Sequence, residues 1–170
     1  MEFSFFNNAL MEEIHLDATD IKLLECLQSD ASLSNQALAE RVHVSPPTCL
    51  RRVKRLREAG LIECEIAVLN ADRLAALLSA GLTALVEISL DRQGTDWLEA
   101  FEARAAGDDA VQQCYRVSPG PDFILVVHVA GMPGYLALAQ RLFTQDANVR
   151  IAKAFFSIKR AKFNPKVLLS

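Results

Sequence analysis

Between residues 51 and 57 the chain carries five cationic side chains and no acidic one. They are Arg51, Arg52, Lys54, Arg55 and Arg57. A guanidinium group can donate two parallel hydrogen bonds to a phosphate or to a guanine edge, and an ammonium group pairs with phosphate as a point charge. The chemistry that this run predicts is the recognition of a polyanion, double-stranded DNA.

The residues just before the run predict the start of the helix that presents it. Ser45 is a favourable N-cap, because its hydroxyl can accept a hydrogen bond from a free backbone N–H of the first turn. Pro46 suits the first helical position, where its missing N–H would have no partner. At about 100° per residue, Cys49, Val53 and Leu56 fall on one stripe, which must be buried. The predicted helix has a narrow apolar seam and a cationic outer face.

The outer face determines which side chains would meet DNA. Thr48 and three of the arginines lie opposite the apolar stripe, nearest the bases or the adjoining phosphates, whereas Lys54 and Arg57 point sideways, towards phosphates. The predicted DNA-contacting residues are Ser45, Pro46, Thr48, Arg51, Arg52, Lys54, Arg55 and Arg57. The alternative is a solvated helix face, which explains many charge runs.

The charge balance favours a single docking element. The chain has 18 Lys and Arg against 21 Asp and Glu, a net charge of −3. Residues 41–57 hold six basic residues and no acidic one, so the rest of the chain is clearly acidic. Such a distribution is less typical of a nonspecific polycation than of a protein with one DNA-binding surface.

Composition excludes several other classes of protein. With 170 residues, 51% of them apolar, the chain can build one medium domain or two small ones and is not disordered. No apolar run approaches the roughly 18 residues that span a bilayer, and the first residues lack the cationic flank of a signal peptide. We therefore expect a cytoplasmic protein with no membrane partner.

The cysteines and histidines show no ligand spacing. The cysteines are at 26, 49, 64 and 114, and the histidines at 15, 43 and 128. Without a C-x-x-C pair or a neighbouring Cys and His, the sequence predicts no metal site and no cofactor. Free thiols buried in apolar surroundings are the expected state of the cysteines, and His128, which interrupts an apolar strand, is expected to be structural.

The cationic helix is predicted to be the last of three short helices in residues 16–69. Residues 1–15 form a predicted extension, in which Met11 is an alternative start. Ser34 caps the second helix, 43–44 is a tight turn, and 61–69 is predicted to be β structure, the wing of a winged helix. Two short helices joined by a tight turn, the second of them basic, are typical of a helix-turn-helix domain.

The remaining chain changes period. Residues 70–81 are a predicted connector, and residues 82–90 alternate apolar and polar, as in a half-buried strand. Further strands are predicted at 111–117, 123–129 and 149–159, with helices over 97–105 and 135–143. The resulting order in residues 82–170 is βαββαβ, a ferredoxin-like unit. The predicted fold class is thus α+β, with a winged helix-turn-helix domain before the βαββαβ domain.

Four segments carry a family resemblance, namely 16–20 (LDATD), 33–39 (LSNQALA), 44–56 (VSPPTCLRRVKRL) and 60–62 (GLI). Together they resemble the leucine-responsive/asparagine-regulator (Lrp/AsnC, feast/famine) transcription factors of bacteria and archaea, over about Leu16–Leu169. The resemblance implies a sequence-specific DNA-binding regulator that is not an enzyme. It also implies homodimers paired through the C-terminal sheets, often assembled into octamers, and amino-acid effectors bound between neighbouring C-terminal domains.

One turn departs from the family pattern. Members commonly carry Gly-x-Tyr/Phe-Asp where this chain has Pro119, Gly120, Pro121 and Asp122. Proline has no backbone N–H, so a loop that cradles an effector carboxylate would lack two donors. The resemblance leaves Ser118, Gly120 and Asp122 as candidate effector-binding residues. The alternative is a rigid turn.

Two other functions stay open at this stage. Sirohaem decarboxylases resemble this family and use the same two-domain build, but tetrapyrrole chemistry needs polar or basic groups converging on a cavity, and no such set stands out. A small-molecule-binding or assembly module with a degenerate DNA-binding half is the other alternative. The complete cap, turn and cationic face in residues 34–57 argue against it.

Overall fold

The chain divides into two compact units in a computed structural model that describes residues 14–78 and 81–169. The first unit runs to Ala67 and includes a returning segment that starts at Phe163, and the second unit is Val68–Lys162. Nearly all of the predicted extension 1–15, Met11 included, lies outside the described residues.

Three helices build the first unit: α1 (Ala18–Ser29), α2 (Asn35–Val42) and α3 (Pro46–Glu58). Side chains of Asp17, Ser34 and Ser45 cap their N-termini. The turn between α2 and α3 is made by His43, whose φ of 58° is left-handed, and the amide of Val44 donates back to Ala39 O at 3.0 Å.

The core of the first unit lies between these helices. It is made by Leu23, Leu24, Leu38, Ala39, Val42, Cys49, Val53 and Leu56. The predicted apolar stripe on α3 is confirmed, because Cys49, Val53 and Leu56 are all buried. Burying this seam fixes the rotation of α3 about its own axis and therefore which side chains face outward.

The segment after α3 differs from the prediction. Residues 61–69 form no strand, and Ile66, Val68 and Leu69 expose most of their side chains. The prediction of β structure was wrong here because a strand needs partners for its backbone groups, and within the described residues the backbone of 62–69 forms no backbone–backbone hydrogen bond. A short helix, α4 (Ala71–Leu78), occupies most of the predicted connector.

The second unit is a four-stranded antiparallel sheet with helices on one face. Its elements are β1 (Leu82–Leu90), α5 (Thr95–Ala106), β2 (Val111–Arg116), β3 (Phe123–Val129), α6 (Met132–Ala139), a π-helical turn (Gln140–Thr144) and β4 (Val149–Phe156). The strand order is β2-β3-β1-β4, and the predicted βαββαβ sequence of elements is confirmed.

Strand alternation gives the sheet one covered face and one open face. On the covered face, Val86, Ile88 and Leu125 are fully buried, and the rings of Phe101 from α5 and Phe123 lie 4.8 Å apart. On the open face, Leu85, Tyr115, Ile151 and Phe155 are each exposed by about half. Glu87 and Lys153, whose charged atoms lie 4.0 Å apart, occupy the same face between Leu85 and Ile151, so the open face carries large apolar side chains around a charged pair.

The last described residues return to the first unit. Gln28 of α1 binds the backbone of Val167 twice, donating from Nε2 to the carbonyl at 3.2 Å and accepting the amide on Oε1 at 2.6 Å. Lys166 Nζ lies 2.8 Å from Ser29 Oγ, and Leu169 packs against the core. The sequence placed residues up to 170 in the second domain, whereas residues 163–169 lie with the first unit, since the Gln28 amide pairs with their extended backbone.

Candidate nucleic-acid interface

The N-terminus of α3 is built by hydrogen bonds from two directions. The hydroxyl of Ser45 accepts the amide of Thr48 at 3.4 Å and lies 2.9 Å from the Thr48 hydroxyl. Pro46 occupies the first helical position, and its carbonyl accepts Asn35 Nδ2 at 2.9 Å, which joins the start of α2 to the start of α3. Ser45 and Pro46 are exposed, so the amides of this first turn lie at the surface, where a phosphate can bind.

The outward side of α3 carries three exposed cations. Arg51 has no hydrogen-bond or ion-pair partner among residues 14–78 and 81–169. Lys54 lies 3.6 Å from Glu58 one turn on, and Arg57 pairs with Glu65. Exposed pairs of this kind contribute little to stability, typically about 0–1 kcal/mol, so phosphates can replace them at small cost.

Arg52 and Arg55 turn towards α1 instead. Arg52 Nη1 donates to Asp17 Oδ2 at 2.7 Å and to Asp20 Oδ1 at 2.9 Å, and Arg55 Nη2 donates to Asp20 Oδ2 at 2.5 Å. The side chain of Arg52 is only 24% exposed, whereas that of Arg55 is 48% exposed. The sequence placed both on the outer face. Arg52 therefore binds mainly within the first unit. Arg55 binds Asp20 but also exposes about half of its side chain to solvent.

The carboxylates that hold these arginines were not among the predicted site residues. Asp17 and Asp20 entered the sequence analysis only as part of the segment 16–20 that carries the family resemblance. The sequence carries only part of the signal: two acids stand three residues apart at the start of α1 and two arginines three residues apart on α3, but no local pattern says that these faces meet. Helical spacing places each pair on one face.

Both carboxylates are ionised at neutral pH. Hydrogen bonds from the Asp20 amide and from Arg52 lower the pKa of Asp17 to about 2. Burial raises the pKa of Asp20, but hydrogen bonds from Arg52, the Asp17 amide and Arg55 outweigh burial, and the net pKa lies below its usual value. Hydrogen bonds to Asp17 and Asp20 in turn raise the pKa of Arg52, which stays charged.

These side chains border a shallow, open cavity of about 350 Å³ beside α3. Its lining residues are His15, Asp17, Asp20, Arg51, Arg52 and Arg55. With three guanidinium groups and two carboxylates, the lining carries a small positive excess. The arrangement can accept a phosphate at its outer edge, where Arg51 and Arg55 are exposed.

The turn between β2 and β3 holds the three effector candidates, and it is largely engaged by the sheet. The amide of Asp122 donates to Ile88 O at 2.8 Å, and its carboxylate accepts the amide of Leu90 at 2.7 Å. Both the amide and the carboxylate of the candidate Asp122 are therefore already bound to β1. Ser118 precedes a cis peptide bond to Pro119, and Gly120, with a φ of 123°, is exposed to open space.

The histidines and cysteines of the described residues form no cluster. His128 Nδ1 lies 3.0 Å from Thr83 Oγ1, which confirms a structural histidine. Cys49 is buried and Cys26 partly so, but Cys64 is exposed, contrary to the prediction. Burial raises the pKa of the Cys114 thiol to about 11. Within the described ranges no group of metal-ligating side chains converges, and no helix there is long and apolar enough to cross a membrane.

Comparison with known families assigns both units. Residues 16–63 match the family model of winged helix-turn-helix DNA-binding domains, and residues 83–167 match that of the Lrp/AsnC ligand binding domain. Fold and site together define the class: a helix-turn-helix transcriptional regulator that joins a DNA-binding unit to a regulatory ligand-binding domain.

Individual relatives narrow the class to one family. The chain is 42% identical to a leucine-responsive regulatory protein of Haemophilus influenzae over 147 residues, which cover 86% of each protein. It is 35% identical to that of Rhizobium meliloti over 153 residues, which cover 90% of this chain and 96% of the relative. The chain belongs to the Lrp/AsnC family, whose matched members are regulators rather than enzymes.

Solved structures agree with this assignment. A transcriptional regulator of Neisseria meningitidis in complex with L-Met has a TM-score of 0.77 and 30% identity, over 91% of this chain and 97% of that chain. An AsnC family regulator of Agrobacterium tumefaciens also has a TM-score of 0.77, with 27% identity over the same shares. The α+β fold predicted from the sequence is that of the family.

Proposed function

We propose that α3 enters the major groove and reads DNA through its exposed face. The observation that carries this proposal is that Arg51 and Arg55 are exposed on α3, whose buried seam lies on its other side and whose N-terminus is capped. The proposed contacts are Ser45, Pro46, Thr48, Arg51, Arg52, Lys54, Arg55 and Arg57. Arg51 and Arg55 have the leading role, because their guanidinium groups retain free donors at the surface, while Arg52 acts mainly within the unit.

We further propose that the DNA-binding form is a homodimer that pairs through the open face of the sheet and assembles further, as in an octamer. Support comes from the half-exposed apolar side chains Leu85, Ile151 and Phe155, which share the open face of the sheet with the Glu87–Lys153 pair. A symmetric dimer would read two half-sites separated by about one helical turn or a multiple of it. As a DNA-binding regulator, the protein would act in the cytoplasm.

The proposed effector is an amino acid or a related small molecule. Support comes from the similarity to the Neisseria regulator in complex with L-Met and from the match to a ligand-binding domain. Ser118 and Gly120 would contact the effector, and Asp122 would shape the turn from within the sheet. Such a ligand changes assembly or DNA affinity only if it binds one arrangement more tightly than another.

The DNA-binding proposal is tested on duplexes that the wild-type protein selects from a random pool. The Arg51→Ala/Arg55→Ala variant should lose at least about tenfold in affinity for the selected duplex, since each good bidentate contact contributes about 1–3 kcal/mol. Its oligomeric state by size exclusion should match the wild type. Repeating the measurement with a panel of amino acids tests the effector.

The matched control is Arg150→Ala, which removes an exposed cation from β4 in the second unit. It should bind the selected duplex as the wild type does. Wild-type affinity in the Arg51→Ala/Arg55→Ala variant, or equal losses in the variant and the control, would contradict the assignment of α3 as the reading element.

A further inference from the structure

We propose that Asp20, supported by Asp17, is a positioning residue for DNA reading: it holds the guanidinium groups of Arg52 and Arg55 in place on α3. The inference rests on the proposed function, since it assumes that α3 reads DNA. It assigns a part of the specificity to carboxylates of α1 that do not themselves reach the duplex.

Asp20 accepts a hydrogen bond from each of the two arginines. Its side chain is 1% exposed, and each carboxylate oxygen accepts a different arginine, Oδ1 from Arg52 and Oδ2 from Arg55. Oδ2 also accepts the amide of Asp17 at 3.2 Å, which closes a capping box at the start of α1. The backbone amide of Asp17 thus holds the Asp20 carboxylate in place independently of the two arginines.

Arg55 is held by Asp20 and still reaches the surface. One Nη2 donor is bound and the side chain is 48% exposed, so the other donors of the guanidinium fork remain at the surface in a defined orientation. Arginine has many rotamers, and ordering it on binding costs conformational entropy. A fork that is already held loses less on binding, so fixing Arg55 in advance favours the matched base over others.

Charge distinguishes positioning from a simple electrostatic effect. Neutralising Asp20 makes the DNA-facing unit more positive, which by itself should maintain or strengthen binding to any duplex. Loss of positioning should weaken binding to the selected duplex only. The two effects change the affinity in opposite directions. The ratio of the affinity for the selected duplex to that for a scrambled duplex therefore separates them.

The test compares Asp20→Asn with the wild type by fluorescence anisotropy on selected and on scrambled duplexes. We expect the ratio of the two affinities to fall by about tenfold while affinity for the scrambled duplex is unchanged or higher. Glu58→Gln is the matched control, because it removes the same charge from α3 itself, where Glu58 meets only Lys54 among the described residues. Its affinity ratio should stay at the wild-type value.

A double-mutant cycle separates positioning from general stability. If Asp20 acts through the arginines, Asp20→Asn should lower the ratio much less in an Arg55→Ala background than in the wild type. Asp17→Asn is the second variant, because asparagine still caps α1 while the charge beside Arg52 is lost. It should lower the ratio to a smaller extent, and it carries the test if Asp20→Asn has no cooperative melting transition.

The outcomes separate this inference from the proposed function. If the wild type selects no duplex, or Arg51→Ala/Arg55→Ala binds normally, the proposed function fails. If Arg55→Ala lowers the affinity ratio but Asp20→Asn and Asp17→Asn both keep the wild-type ratio, only the positioning role is overturned. An equal fall with Glu58→Gln would also overturn it.

Discussion

At the scale of single residues, the first unit depends on carboxylates that stay charged in acid. Hydrogen bonds from the Asp20 amide and from Arg52 hold the pKa of Asp17 at about 2, against 3.8 for an ordinary aspartate. A pKa lowered in the folded state means that the ionised form stabilises folding. Asp17 and Asp20 therefore link the start of α1 to α3 under all conditions near neutrality.

We predict that Asp17 stabilises the protein by an amount that does not change with pH above about pH 5. As the pH falls through 3.8 the unfolded chain takes up the proton first, and the contribution of Asp17 is lost towards pH 2. Melting curves followed by circular dichroism from pH 7 to pH 2 should show a steeper acid decline for the wild type than for Asp17→Asn. Parallel declines for the two proteins would contradict this role of the ion pair.

At the scale of elements, the sequence predicts features that depend on neighbouring residues. It does not predict contacts between residues that are far apart in the chain. The cap at Ser45, the buried stripe of α3 and the alternation of β1 follow from neighbouring residues, and the structure confirms each. Residues 61–69 have β-forming composition, but no strand in the described part of the chain pairs with them. The bond between Gln28 and Val167 joins residues 139 apart, which no local pattern encodes.

The candidate site shows the same division. Which residues of α3 face away from its seam could be predicted from periodicity. That Arg52 would be held by α1 could not, because it depends on where α1 packs against α3, and this is fixed by the shared core rather than by either helix alone.

Helix α2 is capped at its C-terminus by a residue, His43, whose backbone conformation is strained. His43 is left-handed with a φ of 58°, a conformation that costs a non-glycine residue about 1–2 kcal/mol. His43→Gly removes this cost but adds freedom to the unfolded chain, so we expect a net gain of about 0.5–1 kcal/mol in the free energy of unfolding. Denaturant titration measures it. His43→Ala, which keeps the strain, should bring no such gain, and a loss in His43→Gly would contradict the argument.

At the scale of the whole molecule, the chain passes between its two units twice. The first passage is at Ala67–Val68 and the second at Lys162–Phe163, where the chain returns to α1. The DNA-binding unit is therefore attached to the regulatory unit at both ends of the latter. If assembly changes the structure of the second unit, either of these two connections can transmit that change to the first unit.

Assembly through the open sheet face would bury side chains that a single chain leaves exposed. Leu85 and Phe155 are paired across β1 and β4, and each is 45% exposed. In Leu85→Asp/Phe155→Asp two new carboxylates remain hydrated in the monomer, so the fold should persist, but burying them unpaired in an interface would cost several kcal/mol. Mass photometry should therefore show monomers where the wild type forms dimers or larger assemblies.

Leu136→Asp is the matched control for this variant, since Leu136 is 61% exposed but lies on α6. It adds the same kind of charge without touching the open face and should keep the wild-type mass. If the double variant also keeps that mass, dimers do not form through the sheet. Because a monomer presents only one copy of α3, we expect the double variant to bind a selected two-half-site duplex no better than a single half-site.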